Sequence, residues 1–118
     1  MLKQQKGRIL FIEIIREAMD VAGAMDLYVK PYAGKLDYYK FKFDFIHMDV
    51  QGAELLVLKG GEKTVKLAKA VWIEVSNIEL YANQALKNQV SHFMQHLGFK
   101  CILDTCGSRK YGDMLWTK

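Results

Sequence analysis

Asp49 closes a short apolar run, Phe45-Ile46-His47-Met48, and Val50-Gln51-Gly52-Ala53-Glu54 follows it. In open α/β sheets, ligands bind beyond the carboxyl ends of the strands. A carboxylate at that place can orient a substrate hydroxyl or take its proton. It can also hold a divalent cation that lowers the hydroxyl's pKa. Gly52 lacks a side chain and lets the backbone come close to a ligand. A second run, Val71-Trp72-Ile73-Glu74-Val75, carries an internal carboxylate and ends at Ser76-Asn77. Asp49 is therefore the candidate catalytic residue. Gln51, Gly52, Glu74 and Asn77 are candidates for binding substrate or cofactor.

Each of these residues also has a structural reading. Asp-x-x-Gly after a strand is a common turn and helix cap. Glu54 suits the positive end of a helix, so it and Gln51 are better explained as structural. Glu74 lies within a strand, where a buried carboxylate needs a partner or a path to the sheet's end. His92 and His96 stand four apart, and Cys101 and Cys106 follow, which invites a zinc reading. The helix that would carry the histidines turns them away from its apolar stripe, and no glutamate stands between them. No metal set is assigned. His47 sits in an apolar run and reads as a core histidine. Gly60-Gly61 follows a helix and lacks the Lys-Ser or Lys-Thr of a phosphate loop.

The elements that must position these residues are legible by pattern. Phe45 to Asp49 reads as a strand buried on both faces. Ala53 to Lys59 is rich in helix formers and stops at Gly60-Gly61. Glu62 to Lys69 reads as a short helix, with Val65 and either Leu67 or Ala68 facing inward. Val71 to Val75 is β-branched and aromatic, a strand. From Gln84 to Leu97, the residues Leu86, Val90, Phe93, Met94 and Leu97 draw one helical stripe, and Gly98 ends it. Phe99 to Leu103 and Tyr111 to Thr117 read as strands joined by a turn, an antiparallel hairpin. The alternation of strand and helix predicts an α/β fold with a mostly parallel sheet, in which the final hairpin reverses one edge strand. Ahead of Asp44 the pattern is weaker. Ile9 to Ile15 fits a strand, and Phe11, Ile15, Ala18 and Ala22 fit one face of a helix running to about Gly23. Leu27 to Val29 fits a short strand, and Lys35 to Lys42 a loop or irregular helix.

The run from Phe43 to Gly60 resembles the signature of FkbM-type methyltransferases. That signature is an apolar strand ending in Asp, then a hydrophobic residue, Glu or Gln, Gly, a small residue and Glu, then a helix closing with Leu-Lys-Gly. Val71-Trp72-Ile73-Glu74-Val75 resembles the family's following strand. Leu80-Tyr81, with a helix ending Leu97-Gly98-Phe99, makes a third match in order. His47 stands where the family usually has Lys, and Gln51 is a variant of its commoner Glu. The resemblance implies a partial Rossmann-like methyltransferase sheet over residues 44–118, the family's C-terminal half, preceded by an unassigned segment, 1–43. It also implies S-adenosylmethionine as cofactor and methyl transfer to a hydroxyl of a sugar, other glycan acceptor or small metabolite. Such proteins begin with a strand and a donor-holding turn of the form Asp-x-Gly-Ala-Asn-x-Gly. Nothing before Asp44 matches it, and Val21-Ala22-Gly23-Ala24 is a feeble echo. The expectation is a truncated methyltransferase. The alternative is a non-catalytic α/β remnant or interaction module that needs a partner chain, or self-associates, through an exposed sheet edge. In that alternative Arg8 to Ile15 is a candidate to cover the edge.

Composition narrows the classes further. The 118 residues suit one domain, and the formal net charge of +4 comes from scattered lysines rather than a basic block. Nucleic-acid binding, which wants a basic stripe with interleaved aromatics, is not expected. Charges at Glu13, Arg16, Glu17 and Asp20 break the apolar run that a secretory leader needs, and no run is long enough to span a bilayer. Two cysteines do not make a disulfide framework. A cytoplasmic protein without a membrane partner is expected.

Overall fold

Phe45–Asp49 forms a strand, β2, whose side chains alternate: Ile46 and Met48 are fully buried, while Phe45, His47 and Asp49 are half-buried. The strand expected to be buried on both faces thus has one core face and one partly open face, and His47 lies on the latter. The computed structural model describes the backbone of residues 9–13, and residues 43–50 and 52–118 in full. Helices α1 (Glu54–Gly60) and α2 (Glu62–Leu67) lead from β2 to β3 (Ala70–Ser76), which pairs with β2 in parallel. β3 repeats the alternation, burying Val71, Ile73 and Val75. In α2, Val65 and Ala68 just beyond its end are buried, and Leu67 is exposed.

On the other side of β2, β1 (Ile9–Glu13) runs parallel to it, from Ile9 opposite Phe45 to Glu13 opposite Asp49. Of the two readings of this segment, the strand holds for these five residues, and it covers the edge of β2. The helix to Gly23, the strand at Leu27–Val29 and the loop at Lys35–Lys42 lie outside the described residues.

Helix α3 (Lys87–His96) starts later than the apolar stripe suggests. The side chain of Gln84 is occupied before the helix: its Oε1 accepts the N–H groups of Leu80 and Tyr81. Gln89 instead caps the helix start, its Oε1 accepting the Leu86 N–H at 2.7 Å. Val90, Met94 and Leu97 are buried, and His92 and His96 are exposed. Gly98, at φ +93°, ends the helix in the left-handed conformation, with the Phe99 N–H on the Met94 carbonyl.

β4 (Lys100–Asp104) and β5 (Tyr111–Thr117) close a five-stranded sheet of order β1-β2-β3-β5-β4. The expected hairpin is present, but the mostly parallel sheet is not: among the described residues two pairings are parallel and two antiparallel. The reason is the placement of β5. A short turn forces it antiparallel to β4, and it inserts between β4 and β3, so both of its ladders are antiparallel. The reversed strand is therefore internal, and β4, pointing the same way as β1 to β3, forms the edge. Helices α1 and α3 pack on each other and on β3. Val57, Leu58, Val65, Val90 and Met94 meet Ile46, Met48, Val71, Ile73, Met114 and Trp116 in one core.

Candidate active site at the carboxyl ends of β2 and β3

The loop after β2 is held from within by Glu54. Its carboxylate reaches back from the first turn of α1, and Oε2 accepts the N–H groups of Val50 at 3.2 Å and Gly52 at 3.4 Å. Glu54 is only 3% exposed. Burial pushes its carboxyl up from 4.5 to about 7, against the lowering effect of the backbone N–H groups. The structural reading of Glu54 holds, although its main work is to fix the loop. Gln51 lies outside the described residues. Gly52 adopts φ +99°, a conformation strained for any other residue. A β-carbon there would stand 3.0 Å from Tyr81 Cδ2 and 3.2 Å from Gln84 Cγ. The chain's own packing thus requires this glycine, and Tyr81 and Gln84 occupy the space beside it.

Asp49 is the last residue of β2, on its half-buried face. Because Met48 pairs with Ile73, Asp49 comes beside Glu74 of β3. Glu74 in turn is directly opposite Asp113 of β5. Three acidic residues thus stand in a row across three adjacent strands, and Glu13 continues the row in backbone register with Asp49. Burial raises the Glu74 carboxyl above its ordinary value, and the negative charges of Asp49 and Asp113 raise it further. A carboxylate raised in this way is a better proton acceptor near neutral pH. Sequence reasoning placed Asp49 at the end of its strand and Glu74 inside the following one, and it missed Asp113. The available signal was an acidic residue inside the apolar strand Tyr111–Thr117, placed opposite Glu74 only once the hairpin register is known.

The far end of β3 is closed by the β4–β5 turn. Ser76 Oγ donates to the carbonyl of Ile78 or Lys110, at 2.5 and 2.9 Å. Asn77 Nδ2 donates to the carbonyls of Arg109, at 2.6 Å, and Gly107, at 3.1 Å. Asn77 therefore ties the turn to β3 and does not join the Asp49–Glu74–Asp113 row. Within the turn, Asp104 Oδ1 accepts the N–H groups of Cys106 and Gly107, and Oδ2 meets Lys87 Nζ at 2.6 Å. The bond to Lys87, foremost among these, holds the Asp104 carboxyl below its usual range. Gly112 faces this turn so closely that a β-carbon would stand 2.6 Å from Cys106 Cα.

Cys106 is buried, Cys101 is exposed, and both are free thiols. Among the described residues, no group of three or more His, Cys, Asp or Glu side chains is arranged to hold a metal ion. No described helix is long and apolar enough to cross a membrane.

A family model, the methyltransferase FkbM domain, matches residues 35–101, more than half of the 118 residues. The chain belongs to the FkbM methyltransferase family. The match begins ahead of the Asp49 motif and ends inside β4, so it takes in Asp49, Glu74 and Asn77 but not Asp113. No curated protein and no solved structure matches the chain. Membership implies use of S-adenosylmethionine in general. The described residues fit that donor in one respect: the Asp49–Glu74–Asp113 row complements a cationic sulfonium. Tyr81 and Gln84 pack where a β-carbon of Gly52 would stand, so that side of Gly52 offers no cradle for the donor's adenosine.

Proposed function

We propose that this FkbM-family chain serves S-adenosylmethionine-dependent methyl transfer to a hydroxyl of a sugar or small metabolite. Its sheet is read as the second half of a Rossmann-like methyltransferase sheet, with four strands pointing one way and β5 reversed. The observation that carries the proposal is the Glu74 carboxyl, raised by burial and set between Asp49 and Asp113 near the carboxyl ends of parallel strands. The donor, when bound, supplies an electrophilic methyl group. The chain's own residues act on the acceptor. Asp49, at the strand end, accepts a hydrogen bond from the hydroxyl and orients its oxygen. Glu74, whose proton affinity is raised by burial and by its acidic neighbours, receives the proton as the oxygen is alkylated. Asp113 raises that affinity without touching the acceptor. Gly52 and the Glu54-pinned loop hold Asp49 in place.

The test is a calorimetric titration of S-adenosylmethionine into the purified chain and into Asp49→Ala. Saturable binding that weakens in the variant supports a donor site beside Asp49, and a hydroxyl-acceptor screen then follows. Absence of binding by a chain shown to be folded refutes donor binding by these 118 residues and favours a second reading. In that reading the chain is a non-catalytic α/β module that works with a partner. The observation favouring it is edge strand β4, where all five residues are exposed, including Ile102 at 61% and Leu103 at 45%.

A further inference from the structure

Among the described residues, a pair of cavities opens on the helical layer, and neither is lined by Asp49, Glu74 or Asp113. The smaller, of about 370 Å³, lies among Gly52, Leu56, Glu79, Gln84 and Ala85. The larger, of about 540 Å³, lies between α1 and α3 beside Asn88, His92 and Phe93. Leu55, Lys59 and Gln89 line both, so the two form one groove. Each is of a size that small ligands occupy.

The polar groups where the cavities meet are donors. Lys59 is exposed, and no carboxylate comes within ion-pair distance of it among the described residues. Gln89 has committed its amide oxygen to the Leu86 N–H, which leaves its NH₂ group to donate. Gln84, at the rim, has likewise committed its oxygen to Leu80 and Tyr81. Glu79, the one acidic lining residue among those described, borders only the smaller cavity, and its Oε1 is held on the Asn83 N–H at 2.6 Å. Beside these donors, Leu55, Leu56, which is 55% exposed, and Phe93 supply an apolar wall, and Asn83, Asn88 and His92 complete the polar lining. An exposed apolar wall beside an unpaired cation and oriented amide donors complements an amphiphilic anion.

We propose that this groove binds a small molecule with an apolar body and one anionic head, a carboxylate or a phosphate. The head sits on Lys59 and Gln89, and the body lies against Leu55, Leu56 and Phe93. The site is separate from the carboxylate row and does not depend on methyl transfer.

The test is calorimetric titration of the whole chain with phenylacetate, phenyl phosphate, inorganic phosphate and 2-phenylethanol. At least one of the two aryl anions is expected to bind saturably, and the tighter of them identifies the head group. Inorganic phosphate and 2-phenylethanol are expected to bind at least about tenfold more weakly, having lost the body or the charge. Lys59→Met is expected to weaken the aryl anion about tenfold, the loss of one charge-assisted hydrogen bond. Leu56→Glu, which sets a carboxylate in the wall, weakens it as well, and Lys66→Met on α2 leaves it unchanged. All three positions are exposed, so the variants are expected to keep the wild-type circular dichroism. The proposal is overturned if neither aryl anion binds the folded chain, if 2-phenylethanol or inorganic phosphate binds as tightly, or if Lys59→Met binds as well as wild type.

Discussion

Replacing Glu54 with Gln removes a specific pH dependence of stability. The carboxyl of Glu54 moves from 4.5 to about 7 on folding because burial disfavours its charged form. A raised carboxyl pKa means that the folded state holds the proton more tightly than the unfolded chain. Its contribution is fully present below pH 4.5 and is lost as the pH rises through about 7. At about 1.4 kcal/mol per pKa unit, the loss across this window is roughly 3 kcal/mol. For a domain of this size that is on the order of 10 °C in Tm. Gln mimics the protonated acid: its oxygen still accepts the Val50 and Gly52 N–H groups, and it carries no charge at any pH. The assay is thermal unfolding of both proteins by circular dichroism from pH 4 to 8. The variant is expected to gain on wild type steadily above pH 4.5, by roughly 3 kcal/mol near pH 7.5. Glu74 and Asp104 titrate in both proteins and cancel in the difference, apart from the weak repulsion between Glu54 and Glu74. Parallel stability curves for the two proteins would refute the reasoning, because they would show that Glu54 is no harder to ionise folded than unfolded.

Gly112→Ala forces a β-carbon to within 2.6 Å of the Cys106 backbone and is expected to cost about 2 kcal/mol or more, read from urea unfolding. A neutral substitution would mean that the β4–β5 turn does not pack as described. Gly52→Ala places a side chain at φ +99° against Tyr81 and Gln84 and should cost about 1–3 kcal/mol in the same measurement. Unchanged stability there would count against the turn after β2. Asp113→Asn takes away one of the two charges beside Glu74, so the Glu74 carboxyl should titrate at lower pH in carbon-detected NMR. An unmoved midpoint would argue against the carboxylate row.

Local pattern determined much of this molecule. An apolar run ending at Asp49 and a β-branched, aromatic run marked β2 and β3 as strands, glycines at 60, 61 and 98 ended the helices, and the stripe Val90-Met94-Leu97 set the buried face of α3. These features depend on neighbours along the chain, so a single sequence carries them. The motif around Asp49 also marked the family. Where α3 begins was less legible, because Gln84 and Gln89 have equal helix propensity and only their partners separate a loop anchor from a helix cap. The ambiguous segment Ile9–Glu13 became a strand through pairing with β2, a non-local choice that its own mixed periodicity left open. Asn77 looked like a ligand-facing strand end, and only the return of the β4–β5 turn revealed the carbonyls that take up its amide. The same return put Asp113 opposite Glu74 and made half of the sheet's pairings antiparallel. Strand order and cross-strand register arise from contacts between residues far apart in sequence. Local composition shows which segments are strands, but only the folded sheet decides which face is buried and which strand lies beside it.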